Sequence, residues 1–183
     1  AFVGDPANSA RIFNELEVDE LVVADIGRAR NRTEPDYQLV EELASECFMP
    51  LAYGGGIASV TQAERLISSG VEKVIVGTSG YLDLTLIPSL VATFGSQAVV
   101  ASIDYRGVGN EARIAIRSGQ ASAGFALLEW LKFLEGWGVG EILLTSIDRQ
   151  GTWAGIDQLT STEVASKVSV PVIANGGLSS MEE

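Results

Sequence analysis

At 183 residues, with 46% hydrophobic and 20% charged side chains, the chain can bury a sizeable core in one domain and is too apolar to stay disordered. Its formal net charge of −12 argues against a polyanion-binding surface, so no nucleic-acid partner is expected. Histidine is absent and Cys47 is the only cysteine, which excludes Ser-His-Asp and Cys-His nucleophiles, most zinc sites and an internal disulfide.

Strand-length apolar runs alternate with helix-period segments along the chain. Asp5-Pro6 reads as a helix start, with the acid as N-cap and Pro at the first helical position of Pro6–Leu16. There follow a strand at Glu20–Ile26, a helix at Pro35–Cys47, a strand at Met49–Tyr53 and a helix at Val60–Ser69. Next come a strand at Lys73–Val76, a helix at Asp83–Phe94 and a strand at Ala98–Ile103. The alternation then breaks: Arg113–Arg117, flanked by Gly-rich turns, predicts a short hairpin over one end of the sheet. A helix at Phe125–Trp137, a strand at Glu141–Ile147, a helix at Thr162–Lys167 and a strand at Val170–Ala174 complete the series. The near-continuous hydrophobicity of the strands predicts a parallel sheet covered on both faces. No apolar run approaches the ~20 residues of a membrane span, and nothing resembles a signal peptide. No membrane partner is expected, and the lone cysteine suits a cytoplasmic setting.

An internal repeat sharpens the fold class. Shifted by about 121 residues, Val18 to Ser59 overlays Val139 to Ser180 without a gap. Identical pairs include Glu20/Glu141, Arg28/Arg149, Asp36/Asp157, Pro50/Pro171, Gly55/Gly176 and Gly56/Gly177. Four strands fit one period, so the repeat predicts an eight-stranded (β/α)₈ TIM barrel of the two-fold, phosphate-binding type. Complete barrels run to ~250 residues. On this count residues 1–183 are a single partial barrel domain, with strands 2–7 present and strands 1 and 8 missing, and are expected to be inactive alone.

Three sets of residues carry candidate chemistry. Gly54-Gly55-Gly56 and Gly176-Gly177 each follow a strand and precede a helix. Glycines there let backbone approach an anion closely, and the repeat suggests two phosphates at one barrel mouth; tight turns with nothing bound are the plainer alternative. Asp25, Asp104 and Asp148 lie at the C-terminal ends of strands, the face on which such barrels place their chemistry. They are candidates for carboxylate acid–base work or for helix capping. Thr145 and Ser146 offer neutral hydrogen bonds nearby in sequence. Glu20, Lys73 and Glu141 open their strands and would ring the opposite face, as solubilising charge or as a salt-bridge gate. No Rossmann or P-loop signature is present, and no cofactor or metal is expected.

With VDELVVADI, PLAYGGGI, VEKVIVGT, FGSQAVVASID, GEILLTSIDRQGT and PVIANGGL in order, almost the whole chain resembles the HisF family, the cyclase half of imidazole glycerol phosphate synthase. The resemblance implies a lyase that takes ammonia from a HisH-like glutaminase subunit at the N-terminal face of the barrel. Its bisphosphorylated substrate would be a phosphoribulosyl-formimino carboxamide ribotide, converted to imidazole glycerol phosphate in histidine biosynthesis. Asp104 matches the family's catalytic Asp on the fifth strand. Gly56, Thr78, Gly176 and Gly177 match phosphate-site positions, and Glu20, Lys73 and Glu141 match an ammonia gate. Two positions depart from the family: Gly77 replaces an Asn, and Gln150 replaces an Asp. VGDPANSARIFN and ASECFMPLAYGGGI resemble HisF-like paralogues that deliver ammonia for acetamidino modification of surface-polysaccharide sugars. A non-catalytic phosphate-binding barrel remains the third reading.

Overall fold

The computed structural model describes residues 4–180, and the chain forms two compact units, residues 1–75 and 76–183. In the first unit, α1 (Pro6–Glu15) leads into β1 (Leu21–Ala24), α2 (Ile26–Asn31) and α3 (Tyr37–Glu46). Then come β2 (Leu51–Gly54), α4 (Val60–Ser68) and β3 (Lys73–Val76). β1 pairs with β2 and β2 with β3, all parallel, in a register that aligns Val22 with Ala52 and Ala52 with Lys73. Val40 and Leu43 on α3 and Ala63 and Leu66 on α4 are buried. Their spacing of three places one apolar stripe on each of α3 and α4.

The second unit opens with α5 (Thr78–Leu82), α6 (Leu86–Phe94) and β4 (Val99–Arg106). The antiparallel pair β5 (Arg113–Ile116) and β6 (Ala121–Ala126) follows, then α7 (Leu127–Trp137), β7 (Glu141–Ser146), α8 (Gln158–Ala165) and β8 (Val172–Asn175). β4 pairs with β7 and β7 with β8 in parallel, while β5 runs antiparallel along the C-terminal half of β4. Ile103, Ile142 and Leu144 are almost fully buried on one face of β4 and β7. Ser102, Asp104, Leu143 and Thr145 occupy the other, since successive strand residues alternate sides.

The architecture is α/β with parallel sheet, as the alternation predicts. The described residues contain eight strands, six parallel and two in the hairpin, against the six barrel strands and the hairpin read from sequence. Several boundaries move for identifiable reasons. The first predicted strand stops at Ala24, because Asp25 caps a short helix that the apolar Ile26 concealed. The helix read as Asp83–Phe94 begins at Leu86, and Thr78–Leu82 coils separately, because Asp83 is extended (φ −131°, ψ 101°). Phe125 and Ala126 finish the hairpin and do not start α7. The last helix comes four residues early, at Gln158, where Asp157 caps it. Asp5 does stand at the N-cap of α1 with Pro6 behind it, but its side chain makes no capping hydrogen bond. No helix among the described residues is long and apolar enough to cross a membrane.

Candidate functional site

Glycine turns follow β2 in the first unit and β8 in the second, with all four residues at positive φ. Gly55 and Gly56 have φ of +148° and +71°, and Gly176 and Gly177 have +98° and +94°. A Cβ on Gly55 would come 2.6 Å from the Asp25 carbonyl oxygen, and one on Gly176 would come 2.5 Å from that of Ser146, the repeat-equivalent residue. Cβ atoms on Gly56 and Gly177 would overlap the carbonyl oxygens of Thr33 and Gly155. The protein's own backbone therefore demands glycine at all four positions.

Each unit also carries a repeat-related helix-capping aspartate, Asp36 in the first and Asp157 in the second, which the sequence displays only as a repeat identity. In the first unit Asp36 caps α3 through the Leu39 N–H (3.2 Å) and accepts from Arg28 Nη2 at 2.9 Å. Those two bonds hold its carboxyl below the usual range. In the second, Asp157 is buried, and Oδ2 accepts from the hydroxyls of Thr160 (2.6 Å) and Tyr105 (3.0 Å) while Oδ1 accepts from Thr160 N–H. Burial pushes the Asp157 carboxyl upward, but the Thr160 and Tyr105 bonds outweigh it and leave it below its ordinary value. Burial also drives the Tyr53 and Tyr105 phenols up to about 12.

The three rim acids separate by role. Asp25 Oδ1 caps α2 through the Arg28 N–H at 2.9 Å, and Oδ2 accepts from the Tyr53 hydroxyl at 3.4 Å. Asp148 receives Arg106 Nη1 and the Gly107 N–H, each at 2.9 Å, and so pins the start of the hairpin connection. Asp104 differs from both. It is half-buried near the C-terminal end of β4, and among the described residues none donates a hydrogen bond to its carboxylate. Burial alone raises its carboxyl above the ordinary range.

Asp104 stands in register with Thr145, and Thr145 with Asn175, whose amide donates to the Thr145 hydroxyl at 3.3 Å. An acid, a hydroxyl and an amide thus form one row across β4, β7 and β8. Ser146, one residue on, is buried and faces the other side of β7. Thr78 Oγ1 accepts from the Arg117 N–H at 2.9 Å, which ties the tip of the hairpin to the start of α5. In the first unit Lys73 Nζ donates to Glu20 Oε2 at 2.6 Å, with both side chains about a fifth exposed. Glu141 opens β7 opposite Val100. Sequence reasoning missed the hubs at Asp36 and Asp157; their signal was an Arg eight residues before an Asp, repeated in both halves.

The chain matches the family described as histidine biosynthesis protein over residues 1–183. It is 48% identical over its whole length to a protein of Pseudomonas aeruginosa provisionally named imidazole glycerol phosphate synthase subunit hisF2, and covers 73% of that relative. It is 41% identical to a provisionally named HisF subunit of the same synthase from Leptospira interrogans, covering all of this chain and 72% of the relative. With the HisF subunit of Chloroherpeton thalassium it shares 39% identity over 98% of its length and 71% of the relative's. A match of this extent settles kinship: the chain belongs to the HisF family of histidine biosynthesis proteins.

Proposed function

We propose that the chain carries the cyclase chemistry of imidazole glycerol phosphate synthase. In this reading its parallel strands belong to a (β/α)₈ barrel that accepts ammonia from a HisH-like glutaminase. The substrate is a bisphosphorylated phosphoribulosyl-formimino carboxamide ribotide, and the products are imidazole glycerol phosphate and an aminoimidazole carboxamide ribotide. The observation that carries the reading is Asp104, a half-buried carboxylate with no hydrogen-bond donor among the described residues, set in a polar row with Thr145 and Asn175. Burial raises this acid above the ordinary carboxylate range, the direction that suits it to general acid–base work during ring closure. Thr78, Gly55, Gly56, Gly176 and Gly177 would hold the phosphates, and the Glu20–Lys73 pair would belong to the ammonia gate. Incubation of the purified chain with this ribotide and ammonium ion should yield the imidazole product. Absence of product from soluble, folded protein would overturn the reading for residues 1–183.

A second reading, ammonia delivery for amidination of a surface-polysaccharide sugar, draws support from one pattern. Gly77 and Gln150 both depart from the family's motifs at the substrate end. Ammonia-dependent modification of a sugar, with no turnover of the ribotide, would favour it.

A further inference from the structure

Tyr81 carries a polar group that packing does not explain. Its ring stacks on Trp130 with centroids 4.1 Å apart and planes at 27°. Trp130 is itself 1% exposed and touches the rings of Phe125, Phe133 and Trp137. Phenylalanine would fill this aromatic cluster equally well. The tyrosine instead buries a hydroxyl that has no hydrogen-bond partner among the described residues. Leaving such a group unpaired is costly, and native structures seldom retain one without a use.

The use follows from what lies beside it. Gly77, immediately before α5, packs against Ser102, where a Cβ would come 3.5 Å from the Ser102 Cβ. Asp104 is two residues further along β4 and shares Ser102's side of the strand. Tyr81 lies on α5 four residues beyond Gly77, about one helical turn away. Burial, and then the negative charge of Asp104, hold its phenol well above the usual range, so the hydroxyl keeps its proton at neutral pH. Among the described residues, a buried donor without a partner and a half-buried carboxylate without a donor therefore occupy neighbouring elements.

We propose that Tyr81 is a further substrate-contacting residue of the Asp104 site, its hydroxyl donating a hydrogen bond to an acceptor oxygen or nitrogen of the ring-forming substrate. Asp104 exchanges the proton while Tyr81 holds the neighbouring atom in place. The inference rests on the cyclase reading above.

Tyr81→Phe tests it, because the substitution keeps the ring and removes only the hydroxyl. The free variant should melt a few degrees higher than wild type, since the unpartnered group is gone. Its kcat on ammonia should fall tenfold or more and its KM for the ribotide should rise, because the hydroxyl's bond to the substrate is lost. The gain in melting temperature on adding the ribotide should shrink relative to wild type. A variant within twofold of wild-type kcat, or one that melts lower than wild type in the free state, overturns the proposal. If wild type itself does not turn over the ribotide, the cyclase reading fails first, and the proposal falls with it.

Discussion

The Tyr105 hydroxyl donates to Asp157 Oδ2 at 3.0 Å, joining β4 to the cap of α8 across 52 residues of sequence. The same carboxylate serves Thr160, whose hydroxyl in turn accepts from the Gly109 N–H at 2.8 Å. One buried acid thus organises a strand end, a helix start and the turn after β4. Asp157→Ala would strand several buried donors at once and remove a helix cap, so it should cost about 3–5 kcal/mol in denaturant unfolding.

Acid should unfold the protein partly through this residue. The folded carboxyl of Asp157 lies below its ordinary value, so its contribution to stability is present above the unfolded pKa of ~3.9. That contribution is lost as pH falls through the folded pKa. Stability measured from pH 6 downward should decline less steeply in Asp157→Asn than in wild type, from a lower starting value. Parallel declines would show that other acids carry the effect.

Asp104 has the opposite sign. Burial raises its folded pKa, so its contribution is complete below ~3.9 and is lost as pH rises through the folded value. Above that folded value the ionised carboxylate opposes folding. Asp104→Asn should raise the melting temperature by a few degrees and lower ammonia-dependent turnover by about 10²–10⁴-fold. A variant within threefold of wild-type turnover would remove Asp104 from the chemistry.

Glycine replacements should divide by position. Gly177→Ala places a Cβ over the Gly155 carbonyl oxygen at a φ of +94° and should cost about 2–4 kcal/mol. Gly136→Ala, inside α7 with nothing within 4 Å, should stabilise by about 0.5–1 kcal/mol. Thermal melts of both variants check the pair, and equal shifts would contradict it.

The Glu20–Lys73 ion pair, 2.6 Å long, predicts a separation of activities. Lys73→Ala should keep turnover on free ammonia within about threefold of wild type and disturb glutamine-dependent turnover in the presence of a glutaminase. Equal loss with both nitrogen sources would place Lys73 in the fold and not in ammonia delivery.

Strands and most helices were legible because burial on both faces writes continuous apolar runs, and amphipathic stripes write a period near 3.6. Asp104 was legible as an acid at a strand end. What distinguished it from Asp25 and Asp148 was not, because capping of α2 and pairing with Arg106 are tertiary facts. Likewise Tyr81 reads as one more aromatic until its ring is seen on Trp130 and its hydroxyl without a partner. The short helix α2 was missed because Ile26 extends an apolar strand run, while the decisive signal was the Asp25 side chain.

The two repeat-related aspartates are secured by different physics, and solvent will tell them apart. Asp36 leans on Arg28 through an ion pair whose side chains are 36–39% exposed. Dissolved ions screen such a pair over about 8 Å at physiological ionic strength. Asp157 is held by the neutral hydroxyls of Tyr105 and Thr160 in a buried setting, which mobile ions do not reach. Added salt should therefore loosen the α3 cap while leaving the α8 cap untouched. Two repeat-related caps built on the same acid therefore differ, one electrolyte-sensitive and one indifferent.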